Sequence, residues 1–159
     1  MAEWLDKVEN VYFEGRIKVP YKWYVGEVGS RFLVALRDKK ELWGTKCPKC
    51  NKVYVPPQKN CGECFVPTDT WVQVKDTGIL ESFTVVHYSH AMQPDDPPLI
   101  YGLIKLDGAD GSMLHLVDGV DPKDLKVGMK VKEVFSEKRK GTIPDILHFV
   151  RNNTNKGKI

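Results

Sequence analysis

The sequence has no apolar run approaching the ~20 residues needed to span a bilayer; its longest, such as residues 32–36, are a fraction of that. It also lacks a basic start followed by an apolar stretch, since the first ten residues, MAEWLDKVEN, include three acids. That beginning is unlike a secretory leader and predicts a cytoplasmic protein with no membrane partner. Charge of one sign is missing too. Lys plus Arg number 24 against 21 Asp plus Glu, a net +3, which falls short of the basic footprint of a dedicated nucleic-acid binder. The densest basic run, Lys138-Arg139-Lys140, reads as a solvated hairpin tip.

Catalytic constellations are equally scarce. The sequence holds four histidines; His87 and His90 lie three apart on a predicted strand and so project to opposite faces, while His115 and His148 sit singly in strand patterns. No G-x-S-x-G elbow or P-loop occurs, and no Ser-His-Asp set can be assembled. Asp95 and Asp96 stand among prolines in a stretch that reads as a stiff, solvated crossover. The expected set of catalytic residues is therefore empty.

Against these absences stand four cysteines in two matched pairs, Cys47-Pro-Lys-Cys50 and Cys61-Gly-Glu-Cys64, separated by ten residues. Two residues between thiolates let one tight turn present both sulfurs to the same ion, and two such knuckles complete a tetrahedral site. Four thiolates leave no position for water or substrate, so the metal folds the segment and does not catalyse. Zinc is the expected ion, and iron in a rubredoxin-like site is the competing one. Asn51, after the first knuckle, suits the left-handed backbone such a turn uses, whereas Phe65 after the second does not, so the second knuckle is expected to be the less regular. With every cysteine committed to metal, no thiol nucleophile remains.

Three blocks and a tail follow: a helical segment at 1–43, the cysteine ribbon at 44–69, a strand-rich block at 70–151, and a polar tail at 152–159 predicted to be flexible. In the first block Tyr21, Val25, Val28, Phe32 and Leu36 recur at helical spacing and predict one apolar face, a candidate partner-docking surface. Gly26 and Gly29 suggest two short helices, the second capped by Ser30. In the third block strands are predicted at 71–75, 79–89, 99–106, 112–117, 130–135 and 146–150, each bounded by Gly, Pro or Asp turns. Five or six short strands without intervening helices are best closed as a barrel, giving a mainly β chain.

The ordered string Leu42-Trp43-Gly44-Thr45-Lys46-Cys47-Pro48-Lys49-Cys50, Val55-Pro56-Pro57, Cys61, Cys64 and then Gly78-Ile79-Leu80-Glu81-Ser82-Phe83-Thr84-Val85-Val86 resembles the acyl-CoA-associated OB-fold proteins with an N-terminal zinc ribbon. Pro97-Pro98-Leu99-Ile100-Tyr101-Gly102-Leu103-Ile104 and Leu125-Lys126-Val127-Gly128-Met129-Lys130-Val131 fit the same pattern, and the likeness spans roughly residues 20 to 150. The resemblance implies N-terminal helices, a rubredoxin-like zinc ribbon and a five- or six-stranded OB-fold barrel. It assigns Cys47, Cys50, Cys61 and Cys64 to a structural Zn2+. It also implies a non-catalytic accessory subunit of a thiolase-type enzyme, a thiolase, synthase or aldolase acting on acyl-CoA, with CoA contact through the partner complex and no CoA-binding residue assignable here. Two other readings compete. One is a nucleic-acid-binding OB module, disfavoured by the low charge. The other is a rubredoxin-like electron carrier, which requires iron.

Overall fold

The computed structural model describes residues 11–13, 15, 19–89 and 93–152. His90, residues 1–10 and the tail beyond Asn152 lie outside the described residues, and with them the expectations placed there.

Among the described residues the first block forms one helix, α1 (Gly26–Lys39), where two were expected. Gly26 itself, at φ 80°, absorbs the break before the helix begins. Gly29 is then carried inside, at a cost of ~1 kcal/mol relative to Ala, because the turns that follow bury Phe32 and Leu36 almost completely; each such side chain contributes ~1.5–3 kcal/mol. Ser30 therefore lies within the helix and does not cap it. The helix stops at Lys40, whose left-handed backbone (φ 57°) lets its N–H reach the Leu36 carbonyl at 3.2 Å. The Arg31 guanidinium stacks 4.3 Å from the centre of the Trp71 ring and ties the helix to the strand beneath it.

Next comes a small antiparallel sheet in the order β2-β1-β3, made of β1 (Leu42–Lys46), β2 (Val53–Tyr54) and β3 (Thr70–Val74). The strand at 70–74, grouped with the barrel on sequence, pairs instead along the whole of β1, from Leu42↔Val74 to Lys46↔Thr70. Gly44 at the centre is required by close approach, since a Cβ there would lie 2.7 Å from the Tyr54 carbonyl oxygen.

The remaining strands, β4 (Thr77–Val86), β5 (Leu99–Leu106), β6 (Ser112–Asp118), β7 (Lys130–Phe135) and β8 (Ile146–Arg151), close into a five-stranded barrel in the order β4-β5-β6-β8-β7. All pairings are antiparallel except β6 with β8. Alternation sends Ile100, Ile104, Met113, Val117 and Val131 inward, and Phe149 on β8 joins them. A register shift between Leu80 and Ser82 bends β4 around the barrel.

Helix, ribbon sheet and barrel share one core, in which Phe32, Leu36, Leu42, Val53, Val55 and Val74 continue into Leu80, Ile104 and Leu106. The β5–β6 turn hooks the ribbon: Asp110 donates its N–H to the Val53 carbonyl at 2.9 Å and accepts the Val53 N–H on its carboxylate at 2.8 Å. A second clasp joins barrel to helix. Arg139 donates Nε–H to the Arg37 carbonyl at 2.6 Å, so the basic run at 138–140 is not simply solvated. Asp145 holds that loop by accepting the N–H groups of Lys140 at 2.9 Å and Gly141 at 2.7 Å. Those bonds keep its carboxyl below its ordinary range despite the opposing effect of burial. Among the described residues no helix is long and apolar enough to cross a membrane.

Candidate metal centre

Each cysteine pair folds into the same tight turn. In the first, the Asn51 N–H bonds to the Cys47 carbonyl at 3.0 Å and the Cys47 N–H to the Lys52 carbonyl at 2.9 Å; in the second, Phe65 to Cys61 at 3.0 Å and Cys61 to Val66 at 2.9 Å repeat the pattern. The left-handed residue follows the last cysteine both times, Asn51 at φ 63° and Phe65 at φ 55°. The expectation of a less regular second knuckle is thus corrected. Phe65 adopts the unfavourable backbone because the turn it completes is fixed by the bonds around it.

The two knuckles place all four sulfurs within 4.8 Å of one another. A tetrahedral ion with Zn–S bonds of ~2.3 Å separates its sulfurs by ~3.8 Å, and Cys50 Sγ lies 3.7 Å from Cys61 Sγ. All four thiols are free of disulfides. Backbone N–H groups point at the sulfurs, from Lys49 and Cys50 to Cys47 Sγ at 3.4 Å each and from Cys64 to Cys61 Sγ at 3.3 Å. Cys47 and Cys61 are buried and Cys50 and Cys64 half-buried. The donor set fits a closed tetrathiolate ion, with no ligand position left for a substrate. Bound there, zinc supplies cross-linking of the two knuckles.

Two features were not legible as site residues. The Tyr54 hydroxyl lies 3.1 Å from Cys61 Sγ; this bond, ahead of the opposing burial, draws the Cys61 thiol down to about 6. Lys52 and Glu63 form an ion pair bridging the two knuckles. Strand alternation would have placed Tyr54 opposite Val53 and Val55, yet nothing in the spacing aims its hydroxyl at a sulfur.

The five residues read as one docking face are divided. Phe32 and Leu36 are core, Val28 is half-buried, and Val25 and Tyr21 precede α1 with 41% and 77% exposure. Of the histidines, His87 is exposed. His115 packs edge-on against Phe149 with ring centres 5.7 Å apart, and burial lowers its pKa, making it a neutral core residue. His148 is half-buried and lies 3.8 Å from the Asp118 carboxylate.

The comparisons agree with this architecture. A family model described as the ChsH2 rubredoxin-like zinc ribbon domain matches residues 35–70, and one described as the ChsH2 C-terminal OB-fold domain matches 71–136. A DUF35 domain-containing scaffold protein of Methanocaldococcus jannaschii is 26% identical over 101 residues, which cover 63% of this chain and 71% of that protein. A crystal structure of a DUF35-family protein of unknown function from Sulfolobus solfataricus superposes with a TM-score of 0.62 at 25% identity, over 80% of this chain and 87% of that one. A chain of an Ltp2-ChsH2(DUF35) aldolase superposes with a TM-score of 0.61 over 82% of this chain and 98% of its own, and at 21% identity that is a likeness of fold. With the ribbon and barrel models abutting at residue 70 on a four-cysteine ribbon and a closed five-stranded barrel, this chain carries the paired zinc-ribbon and OB-fold domains of the ChsH2 type, the architecture it shares with the DUF35 proteins it resembles.

Proposed function

We propose that this chain is a non-catalytic accessory subunit of a thiolase-type enzyme acting on acyl-CoA in the cytoplasm, and that zinc fixes the frame from which its docking segment projects. The observation that carries the reading is the stretch ahead of α1, where Tyr12, Phe13, Tyr21, Trp23 and Tyr24 are 72–94% exposed. Aromatic side chains left in water at this density are the composition of a protein interface core. The naming of one relative as a scaffold protein, and the fold shared with a chain of an aldolase complex, support a partner enzyme. Any CoA contact belongs to the assembled complex, and no residue of this chain is assigned to it.

A nucleic-acid module is the weaker alternative. OB folds turn the sheet face of their second and third strands, here β5 and β6, to nucleic acid. On β5 and β6 the solvent side carries Leu103 opposite Leu114 and Tyr101 opposite Leu116, with Leu103 40% and Leu114 63% exposed. With one ring, Tyr101, and one cation, Lys105, in that phase of the two strands, the surface is mostly aliphatic and a poor platform for stacked bases and a phosphate chain.

The test expresses a thiolase-type enzyme encoded beside this chain, with and without it, and measures thiolytic cleavage of acyl-CoA. Activity or solubility is expected to be lost without the chain, and this chain alone is expected to turn over nothing. Equal activity in both preparations refutes the reading.

A further inference from the structure

We propose that Tyr54 is a positioning residue of the metal centre, whose hydroxyl donates to the Cys61 thiolate and governs how tightly the ribbon retains zinc. The inference rests on the tetrathiolate assignment and is independent of the docking proposal.

Four thiolates around a divalent ion leave the centre with two excess negative charges, which donors outside the first coordination sphere must offset. The two knuckles are near copies in their backbone bonds, so departures from the copy show what is specific. Tyr54 stands four residues after Cys50, and the residue four after Cys64 is Thr68. Thr68 sends its hydroxyl to the Gln58 carbonyl, within the ribbon's own backbone. Tyr54 instead reaches across from the inter-knuckle strand to a sulfur of the other knuckle, at 3.1 Å. The sheet enforces that direction. Tyr54 pairs with Thr45 on β1, and its neighbours Val53 and Val55 are 8% and 5% exposed toward the core, so alternation turns the phenol to the opposite, metal-bearing side.

Cys61 is itself 1% exposed, which denies its sulfur the water that would otherwise solvate a thiolate. The phenol therefore replaces solvent as a fixed donor. It also links β2 to the second knuckle, so one hydrogen bond both offsets charge and holds the two halves of the site in register.

The experiment compares full-length wild type, Tyr54→Phe and Tyr54→Ala, each loaded with zinc and checked for one ion per chain and an intact circular dichroism spectrum. Zinc affinity is measured by competition with a chromogenic chelator. Tyr54→Phe is expected to bind zinc roughly 10- to 100-fold more weakly, the usual consequence of losing an outer-sphere partner. In Co2+-substituted protein, the sulfur-to-cobalt charge-transfer band of Tyr54→Phe is expected to move to longer wavelength, because a thiolate without its donor releases electron density more easily. Packing alone would not move that band. The proposal is overturned if Tyr54→Phe matches wild type in affinity and band position, whether or not Tyr54→Ala is weakened.

Discussion

Glu133 is the residue whose position most conflicts with its chemistry. On β7 it follows Val131 at the inward phase of the alternation and is 4% exposed, yet neither carboxylate oxygen has a hydrogen-bond partner. It lines a cleft of about 380 Å³ at the seam between ribbon and barrel, facing Lys40, Glu41, Lys75 and Asp76. Lys132, which holds Asp76 at 3.2 Å, supplies a partly compensating positive charge. Burial, then the Asp76 charge, push its carboxyl up to about 8. The folded chain thus keeps a proton that the unfolded chain loses near 4.5. Stability is complete below that value, falls as pH rises toward 8 and levels off once the folded carboxyl also ionises. The loss is on the order of a few kcal/mol. Urea midpoints of zinc-saturated protein should fall from pH 5 to pH 8, and Glu133→Gln should flatten the decline. Parallel profiles for the two proteins would count against a neutral buried carboxyl.

Within the ribbon, the metal cross-links a hairpin whose β2 is only two residues long, Val53–Tyr54, and so adds little sheet pairing of its own. Structural zinc contributes on the order of 10 kcal/mol to small domains. Cys61→Ser should therefore lose the ion and raise amide exchange across 47–68, while β4 to β8 stay protected. Elemental analysis of the wild type should give one zinc per chain; iron there would favour the electron-carrier reading. The ligands were legible in the sequence because two-residue spacing is a local requirement of one turn. The number of helices is not legible, because Gly26 and Gly29 are equivalent as letters and only tertiary burial of Phe32 and Leu36 decides which of them breaks the helix. Alternation reveals the strand at 70–74 without naming its partner, which only the pairing with β1 identifies. Glu133 left a trace, an acid in phase with Met129, Val131 and Phe135, but sequence alone could not exclude that this phase faced solvent.

Across the whole molecule, the shared core sets where the chain can be cut. Residues up to 25 precede α1, and those of them that are described from Val11 to Val25 are exposed. A cut after Trp43 would instead remove Phe32, Leu36 and Leu42 from the interior. Deleting residues 1–25 should leave the melting temperature within a few degrees of wild type and abolish co-purification of the thiolase-type partner. Deleting 1–43 should destabilise the remaining chain as well. Retained partner binding by the shorter deletion would place docking elsewhere, the aliphatic β5–β6 face being the next candidate.

The hook between Asp110 and Val53 bears on the order of events during synthesis. Its two ends lie 57 residues apart, and at a ribosomal pace of ~5–20 residues per second the later end emerges about 3–11 s after the earlier one. For most of that interval, once Cys64 has emerged, the nascent ribbon has all four thiols outside the ribosome and no barrel to lean on. Metal capture is what can organise it then, so zinc present during synthesis is expected to give a higher yield of soluble, zinc-loaded protein than the same zinc added afterwards, a comparison that expression with and without a chelator checks.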